Sequence, residues 1–582
     1  MEDCGFSKSP AISTIANNGR SAPIRNITTF AKKSYHCCSE DKAFHLPEIL
    51  RDQQRHFADW KHASIAYGRQ GDAILQRCTR HEYLEYDCQA LLSRNPTIVM
   101  SDCWHNVVES LHKRYLKVTP EVHNLDKDLI HRIVVDLSSR IRDQIQNFDE
   151  ENYLLSKNGH QRRRLLRARE QIRRCGFEPN KHANISAFVK TERYFEEGKS
   201  PRMIMGRDPR FNLFYARVIE PIEKAFFKLE QVANACDFVK CGEKFSKIVG
   251  EWFCENDMSK YEASQREWHL KLEHEVYARA LPQERELLDA CFALKTHKKG
   301  TTQSGVAFSF EQCRGSGDLD TSLGNGVLNY IATQYFLVKN FCTGCQLSEC
   351  TVPGCRSMKF VVKGDDSYMA IPRFTTPYNY YDNFGFDAKL VIRKAPEQVE
   401  FCSGHFVEYL PGRYLYVQKL TKLIESLTTC VNRDIVRNGW VAHYYKSLGL
   451  MYKKLYGNLP VYQDIADFLL RTSEFGVNVN LVDSWNLLES FKNSVGTVDS
   501  VDESLATVSI AMTNGLSIPE LERIKVWMRG NKLSFPPEMS KRSNLRQKQV
   551  ELVPMAWETL QAQLVKGTFD RKRTKTLRQF RS

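Results

Sequence analysis

The spacing of apolar residues changes twice along this chain. Between about residues 46 and 176 they recur at helical intervals, most clearly over 127–145, which predicts helices. A strand is predicted at 187–189, and a mixed helix and strand pattern continues to about residue 420. Beyond that point the segments are long and helical. The pattern therefore predicts a helical part, an α/β part and a second helical part, preceded over 1–45 by an extended arm.

Composition narrows the class of protein. The chain has 582 residues, 42% hydrophobic and 11% aromatic, which supports several packed domains and excludes a disordered chain. It lacks an apolar run long enough to span a membrane and lacks the apolar segment of a secretory signal. Its 18 cysteines are mostly scattered, as expected in a reducing compartment. An intracellular, soluble protein is predicted.

Charge suggests a partner. The formal net charge is +14, and basic residues cluster over 162–174 and 571–581. Such clusters suit a polyanion, most simply a nucleic acid. The alternative interpretation is a solvated helix face and a frayed tail.

The segment around Gly364-Asp365-Asp366 carries the most chemistry. Apolar runs at 360–362 and 368–371 flank a glycine turn with two adjacent acids, which predicts a β-hairpin with carboxylates at its tip. Adjacent carboxylates repel each other, and a bound cation relieves that repulsion. Mg²⁺ held between carboxylates is a common means of handling phosphates. A solvated turn is the alternative.

A two-metal site requires carboxylates from more than one element, and Asp257 is the candidate partner. The apolar run 252–254 predicts a strand that ends near this acid. Glu262 is predicted to begin the next helix, where an interaction with the helix N-terminus is its alternative role.

Two further segments carry groups suited to a nucleotide. Ser316-Gly317 is a predicted turn before a buried helix over 321–338, and Thr321 and Asn325 share one face of that helix. Their polar groups can bond a sugar or a phosphate, although helix capping is the alternative for this turn. Upstream, cations that could neutralise a triphosphate surround a strand predicted at 203–205. These cations include Lys190, Lys199 and Arg202.

The order of the segments over residues 185–410 carries a resemblance. A basic strand, Asp-x4-Glu, Ser-Gly-x3-Thr-x3-Asn, Gly-Asp-Asp, Lys389 on a predicted strand and Phe401-Cys402-Ser403 follow one another. This succession resembles the ordered motifs A to F of viral RNA-directed RNA polymerases. The stretches CRGSGDLDTSLGNGVLN and FVKTERY are most similar to the tombusvirus-like polymerases of positive-strand RNA viruses. A nodavirus-like or unassigned relative is the other option.

The resemblance implies a mixed α/β (α+β) right-hand fold in which the palm is an antiparallel sheet with helices. Residues 1–150 would be a largely helical N-terminal extension whose role is open. Fingers are expected over 151–249 and 273–310, palm over 250–272 and 311–412, and a helical thumb with a basic tail over 413–582.

The resemblance also implies a function, an RNA-directed RNA polymerase that copies viral single-stranded RNA from rNTPs. Asp257 and Asp365 would ligate two Mg²⁺ (or Mn²⁺) ions, with Asp366 assisting, and Lys389 would be the general acid for the leaving pyrophosphate. The expected partners are the RNA template, the nascent RNA and rNTPs. The implied nucleotide-binding residues are Lys190, Lys199, Arg202, Glu262, Ser316, Gly317, Thr321 and Asn325.

The resemblance also implies a cellular location, and the chain departs from the family at one position. The expected location is the host cell cytoplasm, at membrane-associated replication sites reached through a viral or host anchoring protein. The family usually carries Asp where this chain has Glu262. Its part in reading the 2′-OH is therefore open, and we predict that Glu262→Asp keeps activity.

A cysteine-rich loop over 342–355 suggests a second metal. Its C-x2-C-x4-C-x4-C spacing can close a tetrahedral Zn²⁺ site, for which the resemblance offers no support. Free thiols in a loop are the alternative. The four candidate ligands are Cys342, Cys345, Cys350 and Cys355.

Two other functions stay in view. A reverse transcriptase shares the palm acids, but such enzymes usually place an aromatic residue two positions before the paired acids, where Lys363 stands. A non-catalytic RNA-binding protein would rest on the basic clusters and the cysteine loop. It predicts that Asp257→Ala and Asp365→Ala leave activity untouched.

Overall fold

The fold is known from a computed structural model that describes most of residues 98–531. The described ranges are 64–67, 79–80, 98–100, 102, 104–115, 120–190, 192–194, 199–248, 252–311, 313–342, 359–371, 376–426, 435, 440–471, 477, 479–482, 485–494 and 498–531. The predicted arm over 1–45 and the basic tail over 571–581 lie outside the described residues.

Helices and strands alternate through most of these ranges. The strands are β1 Ser64–Tyr67, β2 Thr79–Arg80, β3 Ile98–Met100, β4 Ile185–Val189, β5 Arg193–Tyr194, β6 Met203–Arg207, β7 Trp252–Met258, β8 His297–Thr302, β9 Val306–Glu311, β10 Phe360–Lys363, β11 Asp366–Ile371, β12 Ala388–Arg393, β13 Gly404–Leu410 and β14 Arg413–Gln418. The helices are α1 Trp104–Ser110, α2 Lys127–Arg142, α3 Glu150–Ser156, α4 Gly159–Cys175, α5 Pro179–His182, α6 Pro209–Phe227, α7 Phe238–Ser246, α8 Tyr261–Ser264, α9 Glu267–Ala280, α10 Arg285–Thr296, α11 Thr321–Phe341, α12 Tyr380–Asn383, α13 Leu420–Ser426, α14 Val441–Tyr456, α15 Tyr462–Arg471, α16 Trp485–Asn493, α17 Glu503–Asn514 and α18 Ile518–Gly530. A single π-helical turn, Leu111–Tyr115, follows α1.

The described residues divide into two compact units. The first holds the described residues of 64–81, 96–234 and 250–394, and the second holds those of 235–249 and 395–531. The candidate site lies in the first unit.

A four-stranded antiparallel sheet, in the order β10-β11-β7-β12, is the centre of the first unit. Side chains alternate across β7, so Cys254 and Met258 enter the hydrophobic core while Asp257 takes the opposite face. Helix α11 belongs to this core, and its residues from 323 to 338 are all buried. The helices therefore cover one face of the sheet and leave the face of Asp257 for chemistry.

A second sheet of five strands, in the order β1-β9-β8-β4-β6, completes most of the unit. Strands β4 and β8 pair in parallel, and the other pairs are antiparallel. A three-stranded sheet joins β2, β3 and β5.

The second unit contains the hairpin of β13 and β14 together with α7 and the C-terminal helices. Phe245 of α7 stacks on Phe406 of β13 with ring centroids 3.9 Å apart. In the helical part, Arg529 Nε donates to Asp464 Oδ1 at 2.7 Å and so joins α18 to α15.

His269, in the first turn of α9, is buried and uses both ring nitrogens. Nδ1 accepts from the backbone N–H of Arg266, so Nε2 carries the hydrogen and donates to Phe384 O at 2.6 Å. Burial lowers the pKa of His269 to about 4. The neutral ring therefore ties α9 to the loop before β12.

The fold confirms a mixed α+β protein with antiparallel sheets. The predicted hairpin at Gly364-Asp365-Asp366, the strand that carries Asp257 and the helix after Ser316-Gly317 are all present. The expectation that residues 46–176 are helical was wrong for β1, β2 and β3. Strand β1 pairs with β9, more than 200 residues away, and local spacing does not reveal such a partner. Among the described helices, none combines the length and the apolarity needed to cross a bilayer.

Candidate active site

The turn between β10 and β11 holds the paired acids at the end of the central sheet. Lys363 pairs with Asp366, so Gly364 and Asp365 form a two-residue hairpin loop. Gly364 has φ +62°, a conformation that glycine adopts without strain. This turn sets Asp365 at the tip and Asp366 at the first position of β11.

Strand register brings Asp257 beside these acids. Ser367 of β11 pairs with Asn256 of β7, and continuing that register by one residue sets Asp366 opposite Asp257. On the other side of β7, Lys389 pairs with Asp257 directly. Directly opposed residues on antiparallel strands share a face, with Cβ atoms about 5 Å apart. The sheet thus aligns Asp366, Asp257 and Lys389 across three strands.

The acids interact electrostatically. Asp365 is open to solvent at the turn, yet the protein packed around its carboxyl and the negative charges of Asp366 and Glu262 raise its pKa to about 7. The positive charge of Arg202 opposes this shift. A site that resists a further negative charge is suited to hold a cation.

The donors present fit Mg²⁺. Among the described residues, no group of three or more His, Cys, Asp or Glu side chains is arranged to hold a metal ion by itself. Mg²⁺ commonly takes one or two protein carboxylates and completes its shell with water and substrate phosphates. Asp257, Asp365 and Asp366 would be its ligands in this site.

Asn329 of α11 holds the backbone of the turn through hydrogen bonds. Its Nδ2 donates to Gly364 O at 3.0 Å and to Asp366 O at 3.1 Å. Its Oδ1 accepts from Thr333 Oγ1, which also shares a hydrogen bond of 2.8 Å with the hydroxyl of Tyr381. Asn329, Thr333 and Tyr381 are fully buried. The backbone on both sides of Asp365 is therefore anchored to the buried helix.

The Ser316-Gly317 loop is held against β6. Met205 N donates to Ser316 O at 2.7 Å, and the hydroxyl of Tyr115 lies 3.0 Å from Met203 O and 3.1 Å from Ser316 Oγ. A carbonyl can only accept, so Tyr115 donates to Met203 and Ser316 donates to Tyr115. Gly317 has φ +120°, and a Cβ there would lie 3.1 Å from Met205 O.

The hydroxyl of Thr321 serves this loop as well. It contacts Gly315 O at 2.9 Å and Asp318 O at 2.8 Å, and the carboxylate of Asp318 binds Arg207 at 2.6 Å and Lys298 at 2.9 Å. The loop thus rests on a buried ion cluster.

The predicted phosphate-binding cations are brought together in part. Lys190 and Arg202 both pair with Glu192, at 3.1 Å and 3.3 Å, and Lys190 N donates to Arg202 O at 2.8 Å. Lys199 is exposed nearby in sequence. The positive charge of Arg202 acts on the pKa of Asp365, so this arginine lies within electrostatic range of the acids.

A family comparison bears on this arrangement. The family model described as viral RNA dependent RNA polymerase matches residues 76–504, which is most of the chain. The chain belongs to this family. The matched range contains Asp257, Asp365 and Asp366, the Ser316-Gly317 loop and Lys389.

Individual viral polymerases resemble this chain at low sequence identity. The RNA-directed RNA polymerase of groundnut rosette virus (strain MC1) is 27% identical over 346 residues, covering 54% of this chain and 38% of that protein. That of Cymbidium ringspot virus is 24% identical over 385 residues, 59% of this chain and 43% of that protein. That of tobacco necrosis virus (strain D) is 24% identical over 410 residues, 62% and 54% respectively. These matches confirm the predicted tombusvirus-like resemblance, and they span about half or less of each relative.

Sequence reasoning missed several residues of the candidate site. Tyr115, Asn329 and Glu192 carry contacts that no motif indicated. Asn329 had a local signal, because Thr321, Asn325, Asn329 and Thr333 recur every four residues in a largely apolar helix. Tyr115 had none, since its partner Ser316 is 201 residues away.

The cysteine loop lies almost wholly outside the described residues. Cys342 directly follows α11, and its sulfur is disulfide-bonded, a state in which it would not serve as a thiolate ligand. Cys345, Cys350 and Cys355 are outside the described ranges. The zinc site stays a prediction, and a test of it requires reducing conditions.

Proposed function

We propose that this chain is an RNA-directed RNA polymerase that copies single-stranded viral RNA from rNTPs. The observation that carries the proposal is the alignment of Asp366, Asp257 and Lys389 across three strands, with Asp365 at the adjoining turn. In a chain of this family, such a cluster of acids and a cation is suited to nucleotidyl transfer.

The reaction joins the 3′-oxygen of the growing RNA to the α-phosphorus of an rNTP, breaks the bond to pyrophosphate and releases the proton of the 3′-hydroxyl to solvent. Bound Mg²⁺, held by Asp257, Asp365 and Asp366, would supply charge neutralisation at the attacking and leaving oxygens. Lys389 would donate a proton to the leaving pyrophosphate. Lys190, Lys199 and Arg202 would bind the triphosphate, so positioning and charge do most of the work.

The ribose of the rNTP would be recognised by residues of α8, α11 and the loop before α11. Asn325, Glu262 and Ser316 are the proposed contacts, while Gly317 and Thr321 shape the loop that carries Ser316. A 2′-OH offers both a donor and an acceptor, which allows such a site to select rNTPs over dNTPs.

The right-hand division is part of this proposal. The residues predicted as palm, 250–272 and most of 311–412, fall in the first compact unit, which supports a single catalytic body. The described helices after 413 would form the thumb. A membrane-anchoring partner and a cytoplasmic location stay predictions from the resemblance.

An arginine face on α4 supports RNA as a partner. Of the arginines in this helix, Arg162 binds backbone carbonyls of α3 and Arg169 pairs with Glu150 and Glu151. Arg163, Arg164 and Arg167 are exposed and pair with no residue in the described part of the chain. These three form the arginine face, which suits RNA phosphates.

The test is an incorporation assay with purified protein, a single-stranded RNA template and four rNTPs, with and without primer. We expect Asp365→Ala and Asp257→Ala to lower the rate at least about a hundred-fold, as when transition-state stabilisation is removed. Asp128→Ala, an exposed acid in the first turn of α2, is the matched control and should leave the rate unchanged. Incorporation retained in both site variants would refute the catalytic role of these acids. A wild-type protein that binds RNA but incorporates no nucleotide would favour a non-catalytic RNA-binding protein. A preference for dNTPs would favour a reverse transcriptase.

A further inference from the structure

A buried chain of hydrogen bonds leads from an arginine to Asn325. Gln265 Nε2 donates to Asn325 Oδ1 at 2.8 Å, and Arg314 Nε donates to Gln265 Oε1 at 2.7 Å. Gln265 is completely buried, and Asn325 retains 5% of its exposed surface. The sequence indicated neither Gln265 nor Arg314 as part of the site.

This series of hydrogen bonds fixes the orientation of the Asn325 side-chain amide. A guanidinium has donors and no acceptor, so Gln265 must turn its oxygen to Arg314. Gln265 then donates from its NH₂ group to Asn325, which must accept with its side-chain oxygen. If either amide were rotated by about 180°, a donor would face a donor or an acceptor would face an acceptor. The NH₂ group of Asn325 is therefore left to face away from Gln265.

Arg314 cannot easily give way, because it is itself held by buried charges. It pairs with Glu273, and Lys295 Nζ binds the other oxygen of Glu273 at 2.9 Å. Although burial opposes ionisation, the charges of Arg314 and Lys295 lower the pKa of Glu273 to about 2. A Cβ on Gly324 would overlap Arg314 and Glu273, so the residue before Asn325 must be small. The charge cluster and the helix fit each other closely at this point.

Glu262 is tied to the same arginine. Arg314 N donates to Glu262 O at 3.1 Å. A 2′-OH has one hydrogen, and a carboxylate can only accept it. If Glu262 accepts that hydrogen, the second partner of the 2′-OH must be a donor.

We infer that Gln265 and Arg314 are positioning residues for ribose selection, because they force Asn325 to present an N–H donor to the 2′-OH of the incoming nucleotide. The inference rests on the proposed function, which sets the ribose beside Asn325 and Glu262. Neither positioning residue needs to touch the substrate.

Gln265→Glu is the direct test. The introduced carboxylate keeps the size of the side chain and its bond to Arg314, but it offers Asn325 an acceptor. Asn325 then turns round, and its oxygen competes with Glu262 for the single hydrogen of the 2′-OH. We expect kcat/KM for ATP to fall about ten-fold, the order of one lost hydrogen bond. The value for dATP should stay within about two-fold, a range too small to reflect a lost hydrogen bond, so discrimination falls by nearly the whole factor.

Gln231→Glu is the matched control. Gln231 Oε1 also accepts from an arginine, Arg140, at 2.7 Å, and it lies outside the proposed site. It should leave the ratio of ATP to dATP unchanged. Asn325→Asp gives a second route, because it preserves the bond from Gln265 and replaces the donor with an acceptor. It should show the same selective loss for ATP.

The outcomes separate the inference from the proposed function. A wild-type protein that incorporates no rNTP contradicts the proposed function. A selective wild type whose selectivity survives Gln265→Glu and Asn325→Asp overturns the inference alone. Equal losses for ATP and dATP would also overturn it, since they indicate general damage.

Discussion

The hydrogen bonds from Asn329 to the turn of the acids lead to a prediction for Asn329→Leu. This substitution keeps the volume roughly constant but removes both hydrogen bonds to Gly364 O and Asp366 O. Each such bond contributes about 1 kcal/mol, and the orphaned carbonyls add a desolvation cost, so the free energy of unfolding should fall by about 2–4 kcal/mol. The turn that carries Asp365 would also lose its anchor, and incorporation should fall more than ten-fold because catalysis depends on placement.

Asn340→Leu is the control for this prediction. Asn340 lies on the same helix, about 16 Å along its axis, and its Nδ2 also donates to two carbonyls, those of Phe336 and Tyr378. It should lose stability in urea denaturation while keeping its rate per folded molecule. The reasoning fails if Asn329→Leu lowers stability but incorporates nucleotides as fast as Asn340→Leu when both are folded.

Other predictions concern the loop, the buried histidine, the second acid and the arginine face. Gly317→Ala should lose activity and about 1–3 kcal/mol of stability through its strained φ and its contact with β6, whereas Gly305→Ala, with φ +86° and open space, should show the strain alone. The neutral form of His269 is favoured in the fold, so stability should be complete above pH 6.5 and fall by up to about 3 kcal/mol towards pH 4, a loss that denaturation of His269→Gln should lack. Glu262→Asp should keep incorporation activity, and a loss as large as that of Asp365→Ala would contradict this. Replacing the arginine face with glutamate should reduce RNA affinity and flatten its salt dependence.

Local pattern was sufficient to predict the parts of the site that lie within one element. The hairpin at Gly364-Asp365-Asp366 follows from two apolar runs and a glycine, and the strand before Asp257 follows from a short apolar run. Register between these strands was not readable, because it depends on which faces are buried once the strands have met. The motif order of the family supplied that juxtaposition.

Contacts between distant parts of the chain were beyond sequence reasoning. Tyr115 holds Ser316, and Arg314 reaches Gln265 across 49 residues. Buried polar side chains look unremarkable in a sequence, since the same residues are common on surfaces. Only the packed structure shows that each is enclosed and that each polar atom has to find a partner.

One helix face connects these separate contacts. Thr321 holds the loop before α11, Asn325 meets Gln265, Asn329 anchors the catalytic turn, and Thr333 supports Asn329 and Tyr381. They recur every four residues, so the row drifts about 40° around the helix per step and spans about 18 Å along it. A rigid helix that holds both the proposed ribose contact and the turn of the acids would fix the distance between the sugar and the proposed metal ligands. Changes along this row should therefore affect selectivity and rate together when they displace the helix, and separately when they alter a single amide.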